Sequence, residues 1–137
     1  MKQFWINLPV KNIERSKTFF TKLGFSFNSQ YGNGPNSACL TLGEKNVACM
    51  LFDEPTFKQC INNEADLSKN TAEVLLSIDA QSKEEVDEMV VKAIAAGGTS
   101  NHKPGDMKGW TYGCVFTDLD GHRWNVLYMD MSKMPKG

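Results

Sequence analysis

Ile6-Asn7-Leu8-Pro9-Val10-Lys11-Asn12, followed by Ser16-Lys17-Thr18-Phe19-Phe20-Thr21-Lys22-Leu23-Gly24-Phe25, decides the fold, because its pattern returns later in the chain. Residues 4–8 read as a strand that Pro9-Val10-Lys11-Asn12 ends. The Asn12 side-chain oxygen can accept a free backbone N–H and so start a helix. Ile13, Lys17, Phe20 and Leu23 then recur at helical spacing, with Phe19 beside them. Gly24 suits the left-handed position that closes a helix. Three strand-like stretches follow at 25–31, 38–42 and 47–52. Gly32-Asn33-Gly34-Pro35 and Gly43-Glu44-Lys45-Asn46 separate them as turns.

The same order restarts at residue 73. Residues 73–79 read as a strand, with Val74-Leu75-Leu76-Ser77-Ile78 matching Ile6-Asn7-Leu8-Pro9-Val10. Ser82-Lys83-Glu84-Glu85 is a capping box, in which the Ser82 hydroxyl caps the helix and Glu85 reaches back. Val86, Met89, Val90, Ala93 and Ile94 form the apolar face of that helix, and Gly97-Gly98 closes it. Strand-like stretches recur at 99–103, 110–117 and 123–129, with Asp118-Leu119-Asp120-Gly121 as the turn before the last. The chain therefore reads β-α-β-β-β twice, and a repeat of this kind outranks any single motif. The expected class is α+β: two tandem βαβββ modules whose curved mixed sheets surround a concave cavity. One domain covers 1–137, with module one at 1–53, a connector at 54–72, module two at 73–131 and a tail at 132–137. A short helical turn is expected at 56–61.

Side chains alternate across a strand. Phe4, Ile6 and Leu8 share one face, as do Val74, Leu76 and Ile78, and these apolar faces should lie under the helices. Trp5, Asn7, Glu73, Leu75 and Ser77 then face the concave side. The repeat adds Ala48, Met50 and Phe52, and Arg123, Asn125, Leu127 and Met129. A slip of one residue would swap every side chain. The resulting cavity is aromatic, apolar and sparsely polar, which suits a small-molecule site. Met50, Leu75, Leu127 and Met129 read first as a second core layer between the sheets and only second as cavity lining. Glu73 is the candidate catalytic residue, because a carboxylate in apolar surroundings is costly without a role. Trp110, Tyr112 and Cys114 alternate on one strand face and either wall a pocket or pack as core.

Composition narrows the function classes. The 137 residues suit one compact domain, able to bury roughly two-thirds of its unfolded surface. The net charge is −1 and the cations are scattered. This disfavours a nucleic-acid partner, which requires clustered positive charge, and attachment to anionic membranes. No apolar run approaches the roughly 20 residues that span a bilayer. Residues 1–7 lack the features of a signal peptide. Cys39, Cys49, Cys60 and Cys114 include no Cys-x-x-Cys pair and read as buried reduced thiols, so a cytoplasmic location is expected. His102 reads as an exposed loop residue, and His122 as facing the helix side or solvent. Asp118-x-Asp120-Gly121 lacks the later ligands of a calcium loop and reads as a turn. Gly32-Asn33-Gly34-Pro35 lacks the Gly-Lys-Ser/Thr of a phosphate loop.

With the opening stretch and Phe116-Thr117-Asp118-Leu119-Asp120-Gly121-His122-Arg123-Trp124-Asn125-Val126, the chain resembles the vicinal-oxygen-chelate superfamily of glyoxalases, bleomycin-resistance proteins and extradiol dioxygenases. The resemblance covers nearly the whole chain. It implies the paired βαβββ fold, a homodimer and, in enzymatic members, one divalent metal held by His and Glu on the concave faces. Those ligand positions fall here on Trp5, Met50, Glu73 and Asn125. An indole, a thioether, a carboxylate and an amide make a poor set for a dication that needs three or more N/O ligands. Leu119 also stands where the family commonly has Pro.

The reading is therefore a small-molecule binding protein with no metal or other cofactor. Trp5, Phe52, Trp110 and Tyr112 would stack on an apolar or planar ligand, such as a drug or metabolite. Asn7, Met50 and Asn125 would complete the contacts, with Glu73 orienting the ligand or acting as a base. The alternative is a lyase, isomerase or dioxygenase with one divalent metal ion as Lewis acid.

Overall fold

The computed structural model describes residues 4–30, 34–60, 74–107 and 109–134. The chain forms two compact units, Met1–Thr71 and Ala72–Gly137. The first contains β1 (Ile6–Val10), α1 (Ile13–Lys22), β2 (Ser26–Phe27), β3 (Ser37–Leu42), β4 (Val47–Asp53) and α2 (Glu54–Cys60). The second contains β5 (Leu75–Ala80), α3 (Lys83–Ala95), β6 (Gly105–Met107), β7 (Thr111–Thr117) and β8 (Arg123–Met129), then a 3-10 turn at Met131–Lys133. The sheet orders are β1-β4-β3-β2 and β5-β8-β7-β6. In each sheet the first strand pairs parallel with the last and the remaining pairs are antiparallel. The two units thus repeat one topology, the α+β arrangement expected from the sequence.

Both long helices start and stop by the same local chemistry. Asn12 Oδ1 accepts the Arg15 N–H at 2.9 Å, and Ser82 Oγ accepts the Glu85 N–H at 3.1 Å. Glu85 reaches back as expected, though to the Gln81 N–H (3.0 Å), one residue before the cap. At the other end of α1, Phe25 N–H donates to Phe20 O and Gly24 N–H to Thr21 O. In α3, Gly98 N–H donates to Ala93 O and Gly97 N–H to Ile94 O. These bonds satisfy carbonyls that the helix leaves free and place the next residue in the left-handed region. Glycine occupies it at both sites, with φ of +94° at Gly24 and +106° at Gly97. Phe25 stacks on Phe20 with ring centroids 5.4 Å apart, completing the stop with apolar contact.

The helix-covered faces hold the cores. In the first unit these include Leu8, Val10, Phe19, Phe20, Leu40, Cys49 and Leu51. In the second, Val86 and Val90 of α3 pack with Ala80, Cys114 and Val126, while Trp124 and Phe116 stack at 6.5 Å. Fully burying one large apolar side chain contributes roughly 1.5–3 kcal/mol, so each helix is held chiefly through its stripe. Gly113 is required by close packing: a Cβ there would stand 2.8 Å from both Leu127 Cδ1 and Val126 O.

Several local expectations are corrected. The strand expected at 25–31 is shorter, Ser26–Phe27, with one further bond from Asn28 N–H to Cys39 O. Asn28 Oδ1 takes the Gln30 N–H at 2.8 Å, diverting the chain from the ladder. Tyr31 and Gly32-Asn33 lie outside the described residues. The strand expected at 99–103 is a single Thr99–Thr117 bridge. There the Ser100 hydroxyl, 2.8 Å from Val115 O and 3.0 Å from His102 O, replaces ladder bonding, and Pro104 has no N–H to offer. Pairing resumes at β6, which periodicity did not reveal. Ile94 is 51% exposed rather than part of the buried stripe, which runs Val86, Val90, Ala93. Cys60 is exposed at the end of α2, whereas Cys39, Cys49 and Cys114 are buried; all four are free thiols. The segment around 56–61 is helical from Glu54 to Cys60. No helix among the described residues is long and apolar enough to cross a membrane.

Candidate functional site

Each sheet has a second face, opposite its long helix, and strand register determines what stands on it. In the first unit Asn7, Met50 and Cys39 are aligned across β1, β4 and β3. Pro9, Phe52 and Ser37 form the next row. Met50 and Phe52 are half-buried, Asn7 is exposed, and Trp5, just before β1, is 53% exposed. Cys39 is buried on this row, and burial pushes its thiol pKa up, which keeps it protonated and unreactive.

In the second unit Leu75, Arg123 and Thr117 form one row, and Ser77, Asn125 and Val115 the next. Asp79, Leu127 and Gly113 follow. Asn125 Nδ2 lies 3.4 Å from Ser77 Oγ, so the amide is steadied by its neighbour across the strands. Arg123, Asn125 and Leu127 are half-buried; Leu75 and Ser77 are exposed. Leu75, Val115 and Leu127 give this face apolar surface, interleaved with the polar Arg123, Thr117, Ser77, Asn125 and Asp79.

Tyr112 does not stand there. It pairs with Tyr128, opposite Ala80, and therefore lies on the helix side of the sheet, away from Asn125. Its hydroxyl donates to Asp87 Oδ1 of α3 at 2.6 Å. That bond, followed by loss of solvation and nearby carboxylates, holds the phenol in its neutral form with a pKa of about 12. Trp110, Tyr112 and Tyr128 line a cavity of about 260 Å³ together with Lys83, Asp106 and Asp130. Lys83 Nζ sits 5.5 Å above the Tyr112 ring and 3.3 Å from Asp106, filling part of this side itself. A ligand on the Asn125 face cannot touch Tyr112, so the two groups expected to share one cavity are separated by the thickness of the sheet. Periodicity already placed Tyr112 and Cys114 together; the signal for their side was the buried Val126 and Trp124 of the neighbouring strand.

The turn leading to β8 is built around a buried carboxylate. Asp118 Oδ1 accepts the Asp120 and His122 N–H groups at 2.9 and 3.0 Å, and Oδ2 accepts Trp124 Nε1–H at 3.0 Å. Burial raises its pKa, while the neighbouring His122 charge and these hydrogen bonds oppose the rise. The motif Asp118-x-Asp120-Gly121 is thus a turn whose carboxylate serves the fold and sets where Arg123 and Asn125 begin.

Glu73 lies outside the described residues, and its expected role with it. The other positions implied for a divalent ion carry the Trp5 indole, the Met50 thioether and the Asn125 amide. These do not fit a hard or borderline dication. Among the described residues no three His, Cys, Asp or Glu side chains converge on one point.

The Glyoxalase/Bleomycin resistance protein/Dioxygenase superfamily model matches residues 2–126. A hypothetical protein from S. aureus is 30% identical, with a TM-score of 0.81 over 93% of this chain and 94% of its own. A glyoxalase/bleomycin resistance protein/dioxygenase family enzyme from Burkholderia phytofirmans is 21% identical, with a TM-score of 0.77 over 91% and 96%. The fosfomycin resistance protein FosX from Listeria monocytogenes is 16% identical, with a TM-score of 0.69 over 96% of each chain. No curated protein matches. With its twice-repeated topology and this match over most of its length, the chain belongs to the glyoxalase/bleomycin resistance protein/dioxygenase superfamily.

Proposed function

We propose that this protein binds a small, largely apolar or planar organic molecule on the sheet faces opposite the long helices α1 and α3, without a metal ion, and that it acts as a homodimer. The observation that carries the reading is the Asn125–Ser77 pair at 3.4 Å, flanked on β5 and β8 by Leu75 and Leu127. A carboxylate at position 125 would serve a dication; an amide bonded to a hydroxyl serves a neutral or hydrogen-bonding ligand. Met50 and Phe52 give the face of the first unit the same apolar character. The bleomycin- and fosfomycin-resistance proteins named above make drugs one candidate ligand class.

The test is calorimetric titration of chelator-stripped protein, first with nickel, zinc, manganese and ferrous ions, then with a panel of planar drugs and metabolites. The expected result is no tight one-to-one metal binding, and ligand binding that is unchanged by added chelator. Tight binding of any one of these ions would overturn the metal-free reading. It would favour a metal-dependent lyase, isomerase or dioxygenase, with Glu73 supplying the carboxylate.

A further inference from the structure

We infer that the helix-free face of the second unit recognises an organic oxyanion, a carboxylate or phosphonate, through the Arg123 guanidinium. The inference rests on the proposal above that this face is the ligand site.

Arg123 opens β8 and shares its face with Asn125, two residues further on. It is half-buried, and among the described residues its guanidinium has no ion pair and no side-chain hydrogen bond. Its row partners are Leu75 and Thr117, neither of them charged. The one acidic side chain of β5, β7 and β8 on this face is Asp79, which stands in the Leu127 row and receives a hydrogen bond from Gln81 Nε2. Four residues along a strand span about 13 Å, so Asp79 is out of reach of Arg123. A guanidinium presents a planar fork of donors that matches a carboxylate or phosphonate in two parallel bonds, and partial burial strengthens such a pair.

The neighbouring row sets the rest of the ligand. Asn125 and Ser77 lie about 6–7 Å from Arg123 along the strands. They leave an amide oxygen and a hydroxyl for a second polar group. Leu75 and Leu127 offer apolar surface to either side. The ligand class is thus a small amphiphilic anion, with its charge at Arg123 and its apolar body lying along β5 and β8.

The experiment compares benzoate with benzamide, which share a ring and differ in charge, by amide-resolved NMR titration of the full chain. Benzoate is expected to saturate with shifts centred on β5 and β8, at least about tenfold more tightly than benzamide. Arg123→Gln should reduce that preference below about threefold, and Arg123→Lys should retain part of it. The Lys variant keeps the charge and decides the matter if the Gln variant fails to fold. Equal affinity for the two probes on this face would overturn the anion inference and leave the ligand site standing. Shifts confined to other regions, or none with either probe, would overturn both. A preference for benzoate that survives Arg123→Gln would remove Arg123 from the role.

Discussion

Asp118 shows how much one residue of this chain decides. It is 7% exposed, and its two oxygens serve three donors of one turn. Asp118→Ala removes both acceptor oxygens and with them three hydrogen bonds, one of them from the buried Trp124 indole N–H. The expected cost is about 1–3 kcal/mol at neutral pH, read from the urea midpoint. The pH dependence has a definite sign. Burial raises the Asp118 pKa above its ordinary value of 3.8, so folding favours the protonated form. Its stabilising contribution is complete below that ordinary value and is lost as pH rises through the raised one. The gap between the wild type and Asp118→Ala should therefore be widest in acid and narrow toward neutrality. A gap that widens with rising pH would show that the hydrogen bonds, rather than burial, govern this carboxylate.

At the scale of the element, α3 is defined by its ends as much as by its stripe. Ser82 satisfies one N–H of the first turn, and the bonds at Ala93, Ile94, Gly97 and Gly98 satisfy the last carbonyls. Ser82→Ala should cost about 1 kcal/mol, measured as a lower urea midpoint with an unchanged slope. An unchanged midpoint would mean that Glu85, through its bond to Gln81, holds the start of the helix unaided. These signals are short-range, and so they were legible: Asn12, Gly24, Ser82 and Gly97 act where their sequence context predicts, and Glu85 reaches back one residue further, to Gln81. The strands at 25–31 and 99–103 were not legible. Their fate depended on Asn28 and Ser100 side chains competing with the ladder, a balance that apolar periodicity does not report.

For the whole molecule, the exposed apolar residues bear on assembly. Phe4 and Trp5 precede β1, and Val74 precedes β5, where Leu75 is also exposed; the four range from 52% to 69% exposed. Both strands stand at the end of their sheet order. Apolar side chains beside an open strand edge are a liability unless a partner covers them. Sedimentation equilibrium at micromolar concentration should give a mass of two chains, and Trp5→Asp together with Leu75→Asp should shift it toward one. A single-chain mass for the wild type across that range would refute the dimer.

By itself the sequence determined the repeat, the caps and stops of both long helices, and the choice of which strand face is apolar. Each depends on neighbours within a few residues, or on a period of two or 3.6 that any reading of the chain can count. Tertiary structure decided which strand lies beside which, and therefore which side chains share a row. Only pairing across β5, β8 and β7 brings Ser77 to Asn125, sets Arg123 beside uncharged neighbours, and sends Tyr112 through to Asp87 on the helix side. Ser77 and Asn125 are 48 residues apart in the chain, and Asp87 and Tyr112 are 25 apart. No local periodicity encodes such a separation; it follows from the register in which the strands bury their apolar face.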